Sequence, residues 1–149
     1  MKIEKLYELF LDSSGVCTDT RKISPNCIFF ALKGDNFNGN EFAQEALDKG
    51  AKKVVIDQIN AHKNTGETIL CSDSLKKLQQ LATYHRNQLD IPILALTGSN
   101  GKTTTKELIN TVLSQKFNVS ATVGNLNNHI GVPLTLLAMN EHTEIGIVE

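Results

Sequence analysis

Residues 93–108 read ILALTGSNGKTTTKEL, and this segment is the most informative part of the sequence. It begins with an apolar run, Ile93 to Leu96, of the kind that is buried on both faces of a parallel sheet. A Gly-rich turn follows, and from about Lys102 to Gln115 the sequence is typical of a helix. A strand, a Gly-rich turn and a helix in direct succession form the local geometry at which nucleotide phosphates bind. The stretch therefore predicts an α/β fold with a phosphate site at the carboxyl end of this strand.

The turn contains the residue types that phosphate binding requires. Gly98 and Gly101 allow the backbone to turn tightly and to approach an anion, and the N–H groups at the helix start point towards it. Lys102 is placed to reach the β- and γ-phosphates of ATP, and the Thr103 hydroxyl to ligate the Mg²⁺ that bridges them. The common pattern has four residues between its glycines, whereas this turn has two, so a plain strand-to-helix turn with a surface lysine is the alternative. The predicted ATP-binding residues are Gly98, Ser99, Asn100, Gly101, Lys102, Thr103 and Thr104.

A nucleotide site of this kind also needs an acidic magnesium ligand from the end of a neighbouring parallel strand. Glu149 directly follows the apolar run IGIV at residues 145–148. An acidic residue in that place is costly to bury unless it is paired or bound to a metal. We predict Thr103 and Glu149 as metal ligands, and Lys102, Thr103 and Glu149 as catalytic residues. The alternative for Glu149 is an ordinary exposed glutamate.

Outward from this stretch, helix and strand patterns alternate along the chain. The second half adds a strand near residues 119–122, a helix opened by Pro133 and a strand at 145–148, which gives the order βαβαβ and predicts a parallel sheet. The first half predicts an opening helix, strands, a helix capped by Asn40, a polar loop at 58–67 and a longer helix capped by Ser74. A domain boundary near Asp90 divides the chain into residues 1–90 and 91–149. The strands predicted in the first half are 16–18, 27–32, 53–57 and 68–71.

Composition limits the function classes. The chain has 149 residues, 40% of them hydrophobic, which is too apolar for a disordered tail. With 15 basic and 16 acidic residues it has no overall positive field, so neither a nucleic acid nor an anionic membrane is expected as a partner. The three cysteines are expected to be buried thiols of a cytoplasmic protein, and the four histidines, which share no ligand spacing, to face solvent.

Three blocks of the sequence resemble one family, the ATP-dependent Mur ligases of peptidoglycan synthesis. The segment TGSNGKT at 97–103 matches the shortened phosphate loop T-G-[ST]-x-G-K-T of that family at every position. GNLNNHIGVPLTLL at 124–137 is similar to the Asn-rich block of the members that add D-alanyl-D-alanine. CTDTRKISPNCIFFALKG at 17–34 resembles the amino-terminal uridine-nucleotide domain, with its D-[ST]-R motif. One departure is Asn38, Gly39 and Asn40, where the family commonly has D-G-H or D-G-R.

The resemblance implies a fold and an activity. The expected fold is a small amino-terminal α/β domain for a uridine nucleotide, followed by the first part of a parallel-sheet ATPase domain. The expected activity is an ATP- and Mg²⁺-dependent amide ligase that joins D-Ala-D-Ala to UDP-N-acetylmuramoyl-tripeptide through an acyl phosphate. Family members are considerably longer, so the chain is expected to be an amino-terminal piece, inactive alone, of an enzyme that is a monomer when complete. The implied substrate-binding residues are Thr20, Arg21, Asn127 and Asn128.

Two alternatives remain open at this point. Another Mur enzyme or a folylpolyglutamate-type synthetase would share the phosphate-loop chemistry, although the Asn-rich and amino-terminal blocks argue against both. The isolated chain could also be a nucleotide-binding module without catalysis. For Asn127 and Asn128, the residues alone favour a capped polar loop ahead of a helix over a substrate-binding role.

Overall fold

The computed structural model describes residues 1–63 and 66–149, which form two compact units, Met1–Leu81 and Ala82–Glu149. Each unit contains a parallel sheet with helices in the connections between its strands, so the predicted α/β class is confirmed. The longest helix, Ser74–Gln88, passes from the first unit into the second. The domain boundary near Asp90 stays a prediction.

The first unit is built on a four-stranded parallel sheet of strand order β1-β2-β5-β6. A short antiparallel hairpin, β3–β4, which the sequence did not predict, leaves the carboxyl end of β2. The elements in chain order are α1 (Ile3–Leu11), β1 (Val16–Cys17), β2 (Ile28–Phe30), β3 (Lys33–Gly34), β4 (Phe37–Asn38), α2 (Ala43–Asp48), β5 (Lys53–Ile56), β6 (Thr68–Leu70) and the beginning of α3 (Ser74–Gln88). One-turn 3₁₀ helices lie at Thr20–Lys22, Gly39–Phe42 and Ile59–Ala61.

The central strands of this sheet form the core of the first unit. Phe29 and Phe30 are both fully buried, and as neighbours on a strand they point to opposite faces of the sheet. On the Phe29 face, small side chains of α2 pack against the alternate residues of β2 and β5. Both phenylalanines are therefore core residues of the first unit.

The turn after β4 shows where helix prediction failed. Asn40 does not cap a helix, because its side chain is buried and bonded to Asp57, donating to Oδ1 at 2.9 Å and accepting the Asp57 backbone N–H at 3.0 Å. The cap of this 3₁₀ turn is Asn38, whose side chain accepts the Asn40 backbone N–H. Gly39 is required here, since a Cβ would lie 2.6 Å from the Leu32 carbonyl oxygen.

The start of α3 and the loop before β6 also differ from the predictions. Ser74 is the first residue of α3 rather than its cap; Asp73 caps the helix by accepting the Lys76 N–H at 2.9 Å. In the polar loop predicted at 58–67, the structure forms a one-turn helix at Ile59–Ala61, and positions 64 and 65 lie outside the described residues.

The second unit has the predicted βαβαβ order and a three-stranded parallel sheet. Its elements after α3 are β7 (Ile93–Ala95), α4 (Lys102–Leu113), β8 (Val119–Ala121), α5 (Gly131–Leu137) and β9 (Ile145–Val148). The strand order is β7-β9-β8, so the last strand lies between the other two. The carboxyl ends of all three strands meet at one edge, where the turn after β7, Thr122 after β8 and Glu149 after β9 are neighbours.

Several details of the second unit differ from the predictions. Strand β7 is not buried on both faces: it is hydrogen-bonded to β9 along one edge, and Leu94 is 43% exposed. Helix α5 begins at Gly131, two residues before Pro133, whose fixed φ is compatible with any position in the first turn. His85 is buried rather than solvent-facing, and its Nε2 lies 2.9 Å from the Met139 carbonyl oxygen.

The exposure of the cysteines and the character of the helices can be compared with the expectations from the sequence. All three cysteines were expected to be buried thiols, but only Cys27 is buried; Cys17 and Cys71 are half-buried, and all three are free thiols. Across residues 1–63 and 66–149, no helix combines the length and the apolar character that crossing a membrane requires.

Candidate phosphate and metal site

The turn between β7 and α4 has the backbone conformation of an anion-binding loop. Gly98 and Gly101 adopt φ values of 151° and 77°, a region that residues with a side chain rarely occupy. Gly101 immediately precedes α4 and provides no side-chain cap, so the N–H groups of the first helical turn face out of the loop. A Cβ at Gly101 would meet no atom within 4 Å, which leaves open space where a phosphate would approach.

Lys102 crosses the mouth of this loop. Its Nζ donates to the Gly98 carbonyl oxygen at 2.6 Å, so the ammonium group is held directly above the turn. Ser99, Asn100 and Thr104 are exposed around it. The loop therefore combines one cation with the N–H groups of an uncapped helix start.

Glu149 and Thr103 form the second part of the site. The Thr103 hydroxyl lies 3.1 Å from both carboxylate oxygens of Glu149, and Asn127 Nδ2 donates to Glu149 Oε1 at 2.9 Å. The two predicted metal ligands are thus direct neighbours, although 46 positions apart in the sequence. Glu149 is only 8% exposed, which argues against the alternative of an ordinary surface glutamate.

The surroundings of Glu149 favour its ionised form. The hydrogen bond from Asn127 is the largest influence, and it lowers the pKa of the carboxyl below its ordinary value. Burial opposes this, while the Thr103 hydrogen bond and the charges of Lys106 and Lys102 lower the pKa further. A buried carboxylate that stays ionised beside a hydroxyl is a pair of hard oxygen donors, the ligand type that Mg²⁺ prefers.

Sequence reasoning missed two residues beneath the site, Lys106 and Thr122. Lys106 is fully buried, and its Nζ donates to the Thr122 carbonyl oxygen at 2.6 Å. The Thr122 hydroxyl in turn accepts the backbone N–H of Glu149 at 3.0 Å. The spacing of four residues placed Lys106 on the same face of α4 as Lys102, but it did not indicate that Lys106 is buried.

The Asn-rich block has a local structural role as well as a place near the site. Asn128 Oδ1 accepts the backbone N–H groups of Ile130 and Gly131, at 3.0 and 2.8 Å, and so caps the start of α5. Asn127 points to Glu149 instead. The capped loop that the residues alone favoured is therefore present. The Asn127 amide also belongs to the carboxylate site, by which we mean Glu149, Thr103 and Asn127. Their predicted contacts with a substrate stay a prediction.

Thr20 and Arg21 belong to the first unit, just beyond the carboxyl end of β1. The Arg21 guanidinium donates to both Asp19 carboxylate oxygens, from Nε at 2.9 Å and from Nη2 at 2.8 Å, while its side chain is 86% exposed. The hydrogen bond from the Arg21 side chain is the main reason that the pKa of Asp19 lies far below its usual range. The Thr20 carbonyl oxygen accepts from Lys49 Nζ at 3.0 Å. The motif thus presents an oriented guanidinium to solvent.

Four predicted residues, Lys102, Thr103, Asn127 and Glu149, come together in the second unit. Within the part of the chain that the structure describes, His, Cys, Asp and Glu side chains form no group of three or more that could enclose a metal. Two oxygen donors beside a phosphate loop suit a cation that takes its other ligands from phosphate and water.

Family models match both units. A model described as "Mur ligase family, catalytic domain" matches residues 12–89, and one described as "Mur ligase middle domain" matches residues 96–149.

Curated relatives agree with these matches. The chain is 46% identical over 137 residues to the UDP-N-acetylmuramoyl-tripeptide–D-alanyl-D-alanine ligase of Bacillus subtilis, covering 91% of this chain and 30% of that protein. It is 39% identical over 137 residues to the ligase of the same name from Escherichia coli, covering 90% and 29%. The chain therefore spans about 30% of the length of the curated relatives it matches.

Solved structures give the same picture. A crystal structure of MurF from Acinetobacter baumannii superimposes with a TM-score of 0.84 at 28% identity, covering 99% of this chain and 35% of that one. MurF ligase from Thermotoga maritima, solved in complex with ADP, gives a TM-score of 0.82 at 30% identity, covering 100% and 33%.

Proposed function

This chain belongs to the Mur ligase family, and from that premise we propose that it provides the uridine-nucleotide and ATP-phosphate sites of an ATP-dependent amide ligase. The proposed reaction adds D-Ala-D-Ala to UDP-N-acetylmuramoyl-tripeptide in the synthesis of peptidoglycan precursors. The observation that carries the proposal is the contact of Thr103 with Glu149, at the mouth of a phosphate loop that Lys102 crosses. The names of the relatives support the choice of substrates.

The proposed reaction has two steps. An oxygen of the tripeptide's terminal carboxylate forms a bond to the γ-phosphorus of ATP, and the bond between that phosphorus and the ADP oxygen breaks. The amine of D-Ala-D-Ala then attacks the acyl carbon, phosphate leaves and the amine loses a proton. Phosphoryl transfer needs alignment and charge neutralisation more than covalent chemistry from the protein.

The residues of the loop suit that requirement. The backbone N–H groups at the start of α4 would hold phosphate oxygens along the helix dipole, and Lys102 would leave the Gly98 carbonyl to neutralise the charge of the β- and γ-phosphates. The backbone donors are fixed before ATP arrives, so they need little rearrangement during transfer.

Thr103 and Glu149 would hold the magnesium ion. Their oxygen atoms already lie at 3.1 Å from one another, and Asn127 fixes one carboxylate oxygen. When bound, Mg²⁺ would neutralise charge on the phosphate oxygens. The ionised state of Glu149, which its neighbours favour, is the state that such a ligand requires.

The first unit would supply the uridine-nucleotide site. An exposed guanidinium whose orientation is fixed by Asp19 is suited to a diphosphate, because Arg binds phosphate oxygens in a bidentate fashion. We assign Thr20 and Arg21 to this role on the D-[ST]-R motif. The same proposal places the protein in the cytoplasm, where ATP is available, as a monomer.

The test is phosphate release from ATP by the product of the reading frame that encodes this chain. With UDP-N-acetylmuramoyl-tripeptide present, release should require D-Ala-D-Ala and should not occur with single amino acids. Release that follows a single amino acid or a folate would keep the phosphate-loop chemistry and refute the acceptor. Absence of release with any acceptor would favour a nucleotide-binding module without catalysis.

A matched pair of lysine substitutions tests the loop itself. Lys102→Ala should lower turnover by about 100- to 1,000-fold, because the transition state loses a preorganised positive charge. Lys116→Ala, at an exposed lysine beyond the end of α4, should leave turnover unchanged. Near-normal turnover of the Lys102 variant would refute the assignment of the loop.

A further inference from the structure

Lys106 is a fully buried lysine to which the proposed reaction assigns no role. Its Nζ makes two contacts, with the Thr122 carbonyl oxygen at 2.6 Å and with Glu107 Oε1 at 2.8 Å. Glu107 is on the outer side, with its side chain 59% exposed, whereas Thr122 is 1% exposed. The lysine therefore connects the solvent side of α4 with the carboxyl end of β8.

Thr122 continues this connection to the carboxylate site. Its backbone N–H donates to the Ile147 carbonyl oxygen at 2.9 Å, which extends the pairing of β8 with β9. Its hydroxyl accepts the Glu149 backbone N–H at 3.0 Å. The backbone of Glu149 is thus held by the end of β8, and Lys106 ties that strand end to the helix that carries Thr103.

A buried lysine is a poor device for stability alone. Removing an ammonium group from water is expensive, and a well-packed apolar side chain of similar length is often equally stabilising. Methionine at this position would fill nearly the same volume without the desolvation cost. A role in the neighbouring site of Thr103 and Glu149 is a better explanation for a buried cation at this place.

We propose that Lys106 is a positioning residue for the divalent cation: through Thr122 it fixes the backbone of Glu149 relative to Thr103, so that both oxygen ligands meet the ion in one geometry. This inference rests on the proposed function, because it presumes that Thr103 and Glu149 hold magnesium. The hydrogen bonds of Lys106 reach Glu149 through Thr122, since its Nζ is bonded to the strand end and to Glu107 rather than to either proposed ligand.

The alternative is that Lys106 only pins α4 to β8. The two roles differ in their effect on metal binding. A purely structural lysine would, when replaced, change the free energy of unfolding and leave the magnesium dependence of nucleotide binding as it was. A positioning lysine would change the magnesium dependence in a protein that remains folded.

The experiment measures ADP binding by calorimetry to the product of the reading frame that encodes this chain, first in EDTA and then at a series of Mg²⁺ concentrations. For Lys106→Met we expect ADP affinity in EDTA within about twofold of the unsubstituted protein, because the loop and Lys102 are untouched. The Mg²⁺ concentration for half-maximal strengthening should rise about tenfold or more, the usual cost of losing a residue that orients a metal ligand.

Two further variants make the result specific. Thr122→Val removes the hydroxyl that accepts the Glu149 N–H and keeps the carbonyl that Lys106 binds, so it should raise the Mg²⁺ requirement in the same direction. Glu107→Gln removes the outer ion pair of Lys106 and keeps the bond to Thr122, so its Mg²⁺ requirement should be unchanged. Near-UV circular dichroism shows whether each variant is folded.

The outcomes separate the two proposals. An unchanged Mg²⁺ requirement in folded Lys106→Met would overturn the positioning role while the proposed function stands. Should that variant fail to fold, Thr122→Val decides in the same way. If the unsubstituted protein binds ADP with no effect of Mg²⁺, the proposed metal site is wrong and the inference about Lys106 falls with it.

Discussion

Gly131→Ala should disturb the carboxylate site from a position that touches none of its groups. Gly131 is the first residue of α5, and a Cβ there would lie 2.3 to 2.5 Å from three backbone atoms of Leu126. Backbone atoms cannot swing aside as a flexible side chain does. Ordinary contact begins near 3.4 Å, so the loop or the helix must move by about 1 Å.

The cost follows from that displacement. Forcing an extra methyl group into a packed position costs about 1 to 3 kcal/mol, which changes the unfolding equilibrium constant about 5- to 140-fold. Asn127 directly follows Leu126, so the 2.9 Å bond from Asn127 to Glu149 should also be lost. We therefore expect both a lower free energy of unfolding and a weaker Mg²⁺-dependent binding of ADP.

The assay is urea unfolding of the product of the reading frame that encodes this chain, followed by far-UV circular dichroism. Gly34→Ala is the matched control: a methyl group added there would meet no atom within 4 Å, and its φ is not positive, so the free energy of unfolding should change by less than about 0.5 kcal/mol. Equal stability of the Gly131 and Gly34 variants would refute the close-approach argument. Lower stability with unchanged ADP binding would refute the link from Leu126 to the carboxylate.

Three other predictions concern charges. Burial lowers the pKa of His85, so below the ordinary value of 6.5 the folded protein binds fewer protons than the unfolded chain, and the free energy of unfolding should fall from pH 6.5 towards 5. His85→Gln, which can still donate to the Met139 carbonyl, should flatten that pH dependence in urea unfolding. Burial raises the pKa of Asp57, but Lys33 and its other partners outweigh burial and lower the pKa overall. Asp57→Ala leaves those partners unpaired, so the free energy of unfolding should fall by about 1 to 3 kcal/mol. Glu149→Gln should abolish the Mg²⁺ dependence of ADP binding and preserve binding in EDTA, and a persistent Mg²⁺ effect in calorimetry would remove Glu149 from the metal site.

The pH windows of these groups do not overlap. A carboxyl with a lowered pKa contributes stability that is present above its unfolded value and is lost as pH falls through the folded one. For Asp57 and Glu149 the ordinary values are 3.8 and 4.5, so their contributions are lost only in more acidic solution. Of these three groups, only His85 accounts for a loss of stability between pH 6.5 and 5.

Patterns of local sequence predicted most of the fold. The alternation of apolar runs with helical spacing was sufficient for the βαβαβ order of the second unit, including the Gly-rich turn between β7 and α4. Asn40 and Ser74 were misassigned because an Asn or a Ser before a helix has the same appearance whether it caps that helix or not. Asp57 binds the Asn40 side chain from 17 positions away, a contact that one sequence does not display. Asp73 is a preferred cap residue that directly precedes Ser74, so at this helix the sequence offered two neighbouring candidates.

The sequence predicted the proximity of Glu149 and Thr103 but not the burial of Lys106. That strand ends gather at one edge of a parallel sheet is a rule of topology, and it brought Glu149 to Thr103 correctly. The burial of Lys106 could not be predicted in this way, because a lysine four residues after another on a helix is usually solvated. That Lys106 points inwards depends on the order β7-β9-β8, which places the end of β8 beneath α4.

The Asn-rich block shows how one short segment can serve structure and chemistry together. Asn128 caps α5, and the absence of a side chain at Gly131 lets that helix approach the Leu126 backbone. Those two features fix the loop, and a fixed loop delivers the Asn127 amide to Glu149 Oε1. The Asn127–Glu149 hydrogen bond, which most favours the ionised carboxylate, thus depends on a helix cap and a close backbone approach. Substitutions that affect only the packing of α5 should therefore change metal binding.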